Sequence, residues 1–376
     1  MKNPPAIDDD LIVFTSSPAF SGNPKALFQY MIDNGYNQKY KMVWLFERPE
    51  DIKRFDIPNV NTGLIWNKKG IRKPYAQTTI MSAKYIFYSH NVNWARKYMD
   101  GQTFINLWHG CGYKADMKSD KKKIHYDYLM VTGKKYIDIF KDVLKDPEGN
   151  VLDLGYPRNE MLTERRSGAA SWLDIRKVES SSSKSIIWMP TYRKSRLARL
   201  DMDTGLGDMG LPIICDETVL KELNNHLKEK GVLCIVKHHN LQSIYEYRGT
   251  DLSNIIFADD EYLNKEEIEL YELLGQTDAL ITDYSSVAID YMLTDKPIAY
   301  TLDDYDRYED ARGWSFENVK DFMPGHHIYN IDELKVFIND IAKGNDPHKE
   351  WRHRVKDEAH TYIDGFSKRI LDYFEI

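Results

Sequence analysis

The chain has 376 residues, 42% of them hydrophobic and 29% charged, with a formal net charge of −7. That balance belongs to a folded globular protein rather than a disordered one, and the length suits two domains of about 150 residues each. The acidic balance gives no support for a general nucleic-acid binder, and three cysteines, none in a Cys-x-x-Cys pair, make neither a disulfide framework nor a zinc or redox pair.

The first residues, MKNPPAIDDDLIVF, lack the apolar stretch of a signal peptide. No window approaches the ~20 apolar residues of a membrane span. A reducing, cytoplasmic compartment is expected, and contact with a membrane surface stays open. DLIVFTSS (Asp10 to Ser17) reads as a strand. GNPKALFQYMIDNG then reads as a helix, with Asn23 as N-cap, Pro24 at the first helical position and Gly35 at its end. The apolar runs KMVWLFE, AKYIFYSHN, TFINLWHG, YDYLMVTG and NVLDLGYPR continue the series, with the helix KKYIDIFKDVL between the last two. Strands alternating with helices imply a parallel sheet covered on both faces.

The alternation breaks at residues 163–184, a polar stretch ending in four serines that reads as a linker with one short helix. It resumes with SIIWMPTYR, the helix DETVLKELNNHLKEKG, then VLCIVKHHN, NIIFADD, KEEIELYELLGQ, ALITDYSS and KPIAYTL. The expected layout is an N-terminal α/β domain over 1–162, the linker, and a second α/β domain over 185–345. A final helical segment over 346–376 is expected to pack back toward the first domain.

Ligands of open parallel sheets gather at the carboxyl ends of the strands, and the chemically suggestive clusters sit there. After the run Ala279 to Thr282 come Asp283, Tyr284, Ser285 and Ser286. A serine starting a helix either caps it alone or, with the free N–H groups of the first turn, holds an anion. His109 and Gly110 end LWHG; an imidazole beside glycine at a strand end suits general-base work or a structural hydrogen bond. VKHHN places Lys237, His238 and His239 in one loop. Adjacent histidines point in different directions along an extended chain, so they fit an anion better than a metal. MPTYRKSRLAR carries Thr191, Arg193, Lys194, Arg196 and Arg199. Arginine matches phosphate with paired donors, whereas Arg196 and Arg199 also read as a solvated loop. Arg158 in GYPRNE and Arg312 in YEDARG add two more cations. Neither a Ser-His-Asp order nor a GxxxxGK[ST] loop is legible. Many cations, few nucleophiles and no metal cage describe a site for a phosphorylated donor.

LWHGCGYK, GYPRNE, MPTYR, VKHHN, ITDYSSVAIDY and YEDARG, in that order, resemble the successive motifs of the CDP-glycerol glycerophosphotransferase family. These are the teichoic-acid primases and polymerases and their capsule-polymer relatives, and the resemblance runs from about Asn23 to Gly325. Where the family usually has proline after its Lys-x-His, this chain has Asn240. Where the family commonly has Thr-Pro-Leu-Lys after WHG, it has Cys111, Gly112, Tyr113 and Lys114. The resemblance implies an α/β fold of GT-B type, two Rossmann-like parallel-sheet domains facing across a cleft with the donor mainly on the second. It implies His109 and His239 as the catalytic histidines. With the clusters above, it sets Arg158, Thr191, Arg193, Lys237, Asp283, Ser285, Ser286 and Arg312 on the donor, and Gly110 and Lys114 on the acceptor side.

The implied reaction moves glycerol phosphate from CDP-glycerol, or a related CDP-polyol, to a hydroxyl of a lipid-linked saccharide or polyol-phosphate chain. No tightly bound cofactor or metal is expected, with Mg²⁺ only as a loose companion of the donor diphosphate. The basic run Lys118, Lys121, Lys122 and Lys123 and the loop around Arg196 read either as a solvated face or as a contact for anionic lipid. A sugar-nucleotide glycosyltransferase of the same fold, and a silent nucleotide- or polymer-binding subunit, are the rival readings.

Overall fold

A computed structural model describes residues 5–90, 94, 96–115, 124–163, 183–191, 211–237, 252–265 and 268–376. Two units divide the chain by contact: unit 1 is Met1–Cys111, Met117–Glu160 and Ala359–Ile376, and unit 2 is Gly112–Asp116 and Met161–Glu358.

In unit 1 the run LIVF forms the buried half of β1 (Asp8–Phe14). Burial on both faces is what a central parallel strand requires. Around it lie β2 (Lys41–Phe46), β3 (Val60–Leu64), β4 (Ala83–Tyr88), β5 (Thr103–Asn106), β6 (Tyr128–Met130) and β7 (Val151–Leu152). They form one seven-stranded sheet in the order β3-β2-β1-β4-β5-β6-β7. Val13 registers with Val43 on one side and Ile86 on the other, both pairings parallel. One face buries Val13, Leu45, Ile80 and Ile86. On the other, Phe14 stacks on Trp44 and Phe87 and meets Phe28 edge-on. Phe28 comes from helix α1 (Gly22–Asp33).

The cap of α1 differs from expectation. Ser21, with extended backbone, precedes the helix, and Asn23 is its second residue. Asn23 is buried, and its side chain is drawn away from the helix end by long-range carbonyl partners described below. Helices α2 (Pro74–Ser82) and α3 (Lys135–Val143) complete this part.

Unit 2 repeats the plan. Strands β8 (Lys184–Met189), β9 (Val232–Lys237), β10 (Ile255–Ala258), β11 (Ala279–Thr282), β12 (Ile298–Thr301) and β13 (His326–Ile328) order as β10-β9-β8-β11-β12-β13. All its pairings are parallel. Helix α4 (Glu217–Lys230) starts at Asp216, whose carboxylate accepts from the N–H groups of Thr218 and Val219, and stops at left-handed Gly231. Its Leu220, Leu223 and Leu227 fall on one stripe and join Trp188, Val232 and Ile281 in the core. Burial of each such leucine contributes on the order of 1.5–3 kcal/mol. The remaining helices are α5 (Asp260–Lys265), α6 (Leu270–Gln276), α7 (Val287–Tyr291), α8 (Tyr305–Arg312), α9 (Ile331–Lys343) and α10 (Lys349–Ala359).

The last segment is two helices rather than one. After α10 the chain passes left-handed Gly365 into α11 (Phe366–Tyr373), which belongs to unit 1. The Glu160 carboxylate accepts from the N–H and hydroxyl of Ser367, at 2.8 and 2.9 Å. Thr361 donates its N–H to the Thr132 carbonyl and its hydroxyl to Asp153. The expected linker lies almost wholly outside the described residues, and its last residue, Lys184, opens β8.

Candidate active site

Both sheets reverse their winding between the first and fourth strands in sequence, at β1/β4 and β8/β11. A doubly wound sheet binds its ligands at the carboxyl ends of the strands at such a point. The site residues are built from there.

In unit 1, β4 ends at Tyr88 and His90 follows; β5 ends at Asn106 and His109 follows. The two imidazoles lie face to face, ring centres 3.8 Å apart and planes 6° apart. Two buried asparagines hold the backbone beneath them. The Asn106 amide gives its N–H to the His90 carbonyl (3.3 Å), and its oxygen accepts from the Trp108 N–H (2.9 Å). Asn23 Nδ2 donates to the carbonyls of Leu107 and Trp108, at 2.9 and 3.0 Å, while its oxygen accepts from the Arg158 N–H (3.3 Å). Gly110 has φ +148°, a conformation that side-chain-bearing residues rarely adopt, so glycine after His109 is a backbone requirement. Burial, and next the Arg158 charge, push the His90 pKa down to about 4. Arg158 also lies over the Tyr156 ring, 5.5 Å from its centre. Arg158, expected on the donor, lies close enough to His90 for its charge to act on that imidazole.

In unit 2, β8 and β11 are neighbours, and the residues just beyond them meet. Thr191 donates its N–H (2.8 Å) and its hydroxyl (3.0 Å) to Oδ2 of fully buried Asp283. Tyr284 is buried and donates to Asp304. Ser285 and Ser286 are half-buried at the start of α7. Ser286 already has helical dihedrals and makes no side-chain cap, and the Ser285 hydroxyl accepts from the Val287 N–H at a long 3.4 Å. Capping of this five-residue helix therefore does not account for the serine pair.

Gly112 approaches the same turn, and a Cβ there would lie 3.4 Å from Cβ of Ser286. Lys114, expected on the acceptor side, belongs to unit 2 with Gly112. It forms a bridge with Trp314, its ammonium lies over the Tyr308 ring, and Ala115 N–H donates to the Gly313 carbonyl. Arg312 ends α8 and makes no ion pair among the described residues. Lys237 ends β9, buried, with its ammonium 2.8 Å from the Asp260 carboxylate. Arg193 and His239 lie outside the described residues, as do His238, Asn240, Lys194, Arg196, Arg199, Lys118, Lys121, Lys122 and Lys123.

Three residues of these turns were not singled out as site residues in the sequence: His90, Asn106 and Asn23. His90 offered one signal, a histidine directly after a strand. The asparagines offered none as site residues, since a buried amide at a strand end is recognised only by its partners.

Two Rossmann-like parallel sheets with polar turns at the carboxyl ends of their strands define a GT-B-like fold. The chain belongs to the CDP-Glycerol:Poly(glycerophosphate) glycerophosphotransferase family, whose model matches residues 1–375. It is 24% identical over 382 residues to the teichoic acid glycerol-phosphate primase of Bacillus subtilis, covering 95% of this chain and 90% of that protein. It is 26% identical over 339 residues to the teichoic acid poly(glycerol phosphate) polymerase of Staphylococcus epidermidis, covering 84% of this chain but only 43% of that protein. In fold it is similar to the wall teichoic acid polymerase TagF, with TM-score 0.74 and 22% identity over 98% of this chain and 89% of that one. A UDP-N-acetylglucosamine 2-epimerase-like structure from Listeria monocytogenes shares the fold at TM-score 0.53 and 11% identity, over 97% of each chain.

Proposed function

We propose that the chain transfers glycerol phosphate from CDP-glycerol to a hydroxyl of a lipid-linked saccharide or a growing polyol-phosphate chain and releases CMP. The family match over residues 1–375 carries this reading. The acceptor oxygen attacks the β-phosphorus. The bond from that phosphorus to the bridging oxygen breaks, and CMP leaves with that oxygen. His109 takes the acceptor proton. Phosphoryl transfer asks the protein mainly for positioning and for charge opposite the equatorial oxygens. Arg193, Arg312, His239 and the Ser285–Ser286 turn supply it, and Thr191 is set by Asp283. A related CDP-polyol is the alternative donor. Mg²⁺ on the diphosphate would add to this charge without a protein cage.

A lipid-linked acceptor places the reaction at the inner face of a membrane. Attachment is peripheral in this reading; among the described residues no helix is long and apolar enough to cross a membrane. The test is CMP release with CDP-glycerol, CDP-ribitol and UDP-sugars side by side, on defined lipid acceptors. Turnover of a UDP-sugar alone makes the chain a glycosyltransferase. CDP binding without CMP release makes it a silent subunit.

A further inference from the structure

His90 and Trp108 both have left-handed backbones, φ +65° and +51°. Bulky residues avoid that region, and where they occupy it the surrounding structure must hold them there. Here the holder is visible: Asn106, fully buried, bonds the backbone of both. What the two strained residues achieve together is the flat contact of His90 on His109. A histidine that merely filled space at the end of β4 would require neither.

We propose that His90 is a positioning residue for the transfer: its imidazole, lying flat on that of His109, fixes the ring plane of the base and so the direction of its ring nitrogens. This rests on the reading of His109 as the base. The groups facing His90 are Ser89 from the end of β4, whose hydroxyl is 3.1 Å from Nδ1, His109 from beyond β5, and Arg158 from the segment after β7. Burial and Arg158 keep His90 uncharged at neutral pH. When His109 takes up a proton, the ring beneath it therefore carries no opposing charge, and the face of a neutral aromatic ring accommodates a cation.

The experiment compares three variants of the full chain. His90→Asn removes the ring but suits a left-handed backbone, His90→Phe keeps a flat ring that never charges, and His109→Ala removes the base. Single-turnover CMP release, donor titration and the ring-proton NMR signals of His109 are measured on each. A ring stacked on His109 holds its ring protons upfield. In His90→Asn those signals should move downfield, and CMP release should slow about tenfold or more with donor affinity unchanged, because misplacing a reacting group is costly. His90→Phe should keep the upfield signals and regain most of the rate. Wild-type turnover in His90→Asn, while His109→Ala is inactive, overturns the proposal alone. So do His109 signals that do not move in His90→Asn, or a His90→Phe variant that keeps the upfield signals but is no faster than His90→Asn. Wild-type turnover in His109→Ala overturns the assignment of the base, and this proposal with it.

Discussion

At the end of sheet 1 the groups that hold the candidate base are amides, Asn23 and Asn106, which reach the backbone of His90, Leu107, Trp108 and Arg158. At the end of sheet 2 the organising group is a buried carboxylate, Asp283, bonded to the N–H and hydroxyl of Thr191. Amides fix geometry without adding charge. A carboxylate beside the proposed anion site does the opposite: it pins one residue and, where ionised, adds negative charge that nearby cations must outweigh. The contrast separates a turn built for direction from a turn built for charge.

The sharpest way to break that contrast is His109→Ala. Turnover should fall by ~10²-fold or more while the donor still binds, since a base contributes in the transition state and little to ground-state donor affinity. His239→Ala should lose turnover and donor affinity together. Donor titration beside single-turnover CMP release reads both, and the opposite pattern would reverse the two roles.

Next in size is the pH response. His90 titrates near 6.5 when unfolded and at about 4 when folded. Its folded value is depressed, so its stabilisation is complete above pH 6.5 and is lost as pH falls through 4. Within that window the unfolded chain binds the extra proton, and stability should fall by about 1.4 kcal/mol per pH unit for this group, about 3 kcal/mol in all. His326, His327 and His348 are also depressed, chiefly by burial, and act in the same direction. Melting curves from pH 7.5 to 4.5 should slope less in His90→Asn than in the parent chain. Equal slopes would show that His90 is not buried as described.

Asp283→Ala tests the charge-built turn. It strips the half-buried Thr191 N–H and hydroxyl of their acceptor, at a cost of about 1–3 kcal/mol in stability. The functional loss should appear in donor affinity. Asn23→Ala should cost a similar amount, but its functional loss should appear in the rate of CMP release. If calorimetry and kinetics assign both losses to the same parameter, the two turns do not divide the work. Ser285→Ala combined with Ser286→Ala should weaken the CDP donor by about 1–2 kcal/mol with the melting temperature nearly unchanged; unchanged affinity would remove the phosphate role of the pair. Smallest is the effect of chelation. EDTA treatment should leave donor affinity within severalfold, and elemental analysis of the purified protein should find no stoichiometric zinc or manganese.

Apolar composition, which sheet position sets only in part, explains which strands could be read in the sequence: the edge strands β7 and β10 are legible too, through the apolar runs VL and IIFA. LIVF, MVWLF and ALIT are central or near-central strands whose two buried faces force continuous apolar runs. β3 and β13, not anticipated, are edge strands with the sequences VNTGL and HHI. An edge strand buries less, so its composition carries less of the period. The site divides the same way. His109 announced itself by the glycine beside it, whereas His90 became visible only when a backbone angle and a partner 19 residues later were known. Asn23 looked like a helix cap because Asn-Pro is a capping signal; its carbonyl partners lie on β5's loop, more than 80 residues away. Local chemistry was legible, and contact across the fold was not.

Unit 1 is interrupted: Ala359–Ile376 completes a body that otherwise ends at Glu160. Glu160 therefore waits for Ser367 as its partner. During synthesis at ~5–20 residues per second, about 200 residues must be added between Glu160 and Ala359, a delay of roughly 10–40 s. Through that interval the first sheet exists without α11, and Phe366 has yet to reach the space beside Gly155. Unit 2, almost continuous in sequence, can close first. The first unit of this chain is thus expected to mature after the second, and chains released at residue 358 should be cleaved by protease within residues 1–160 while unit 2 resists.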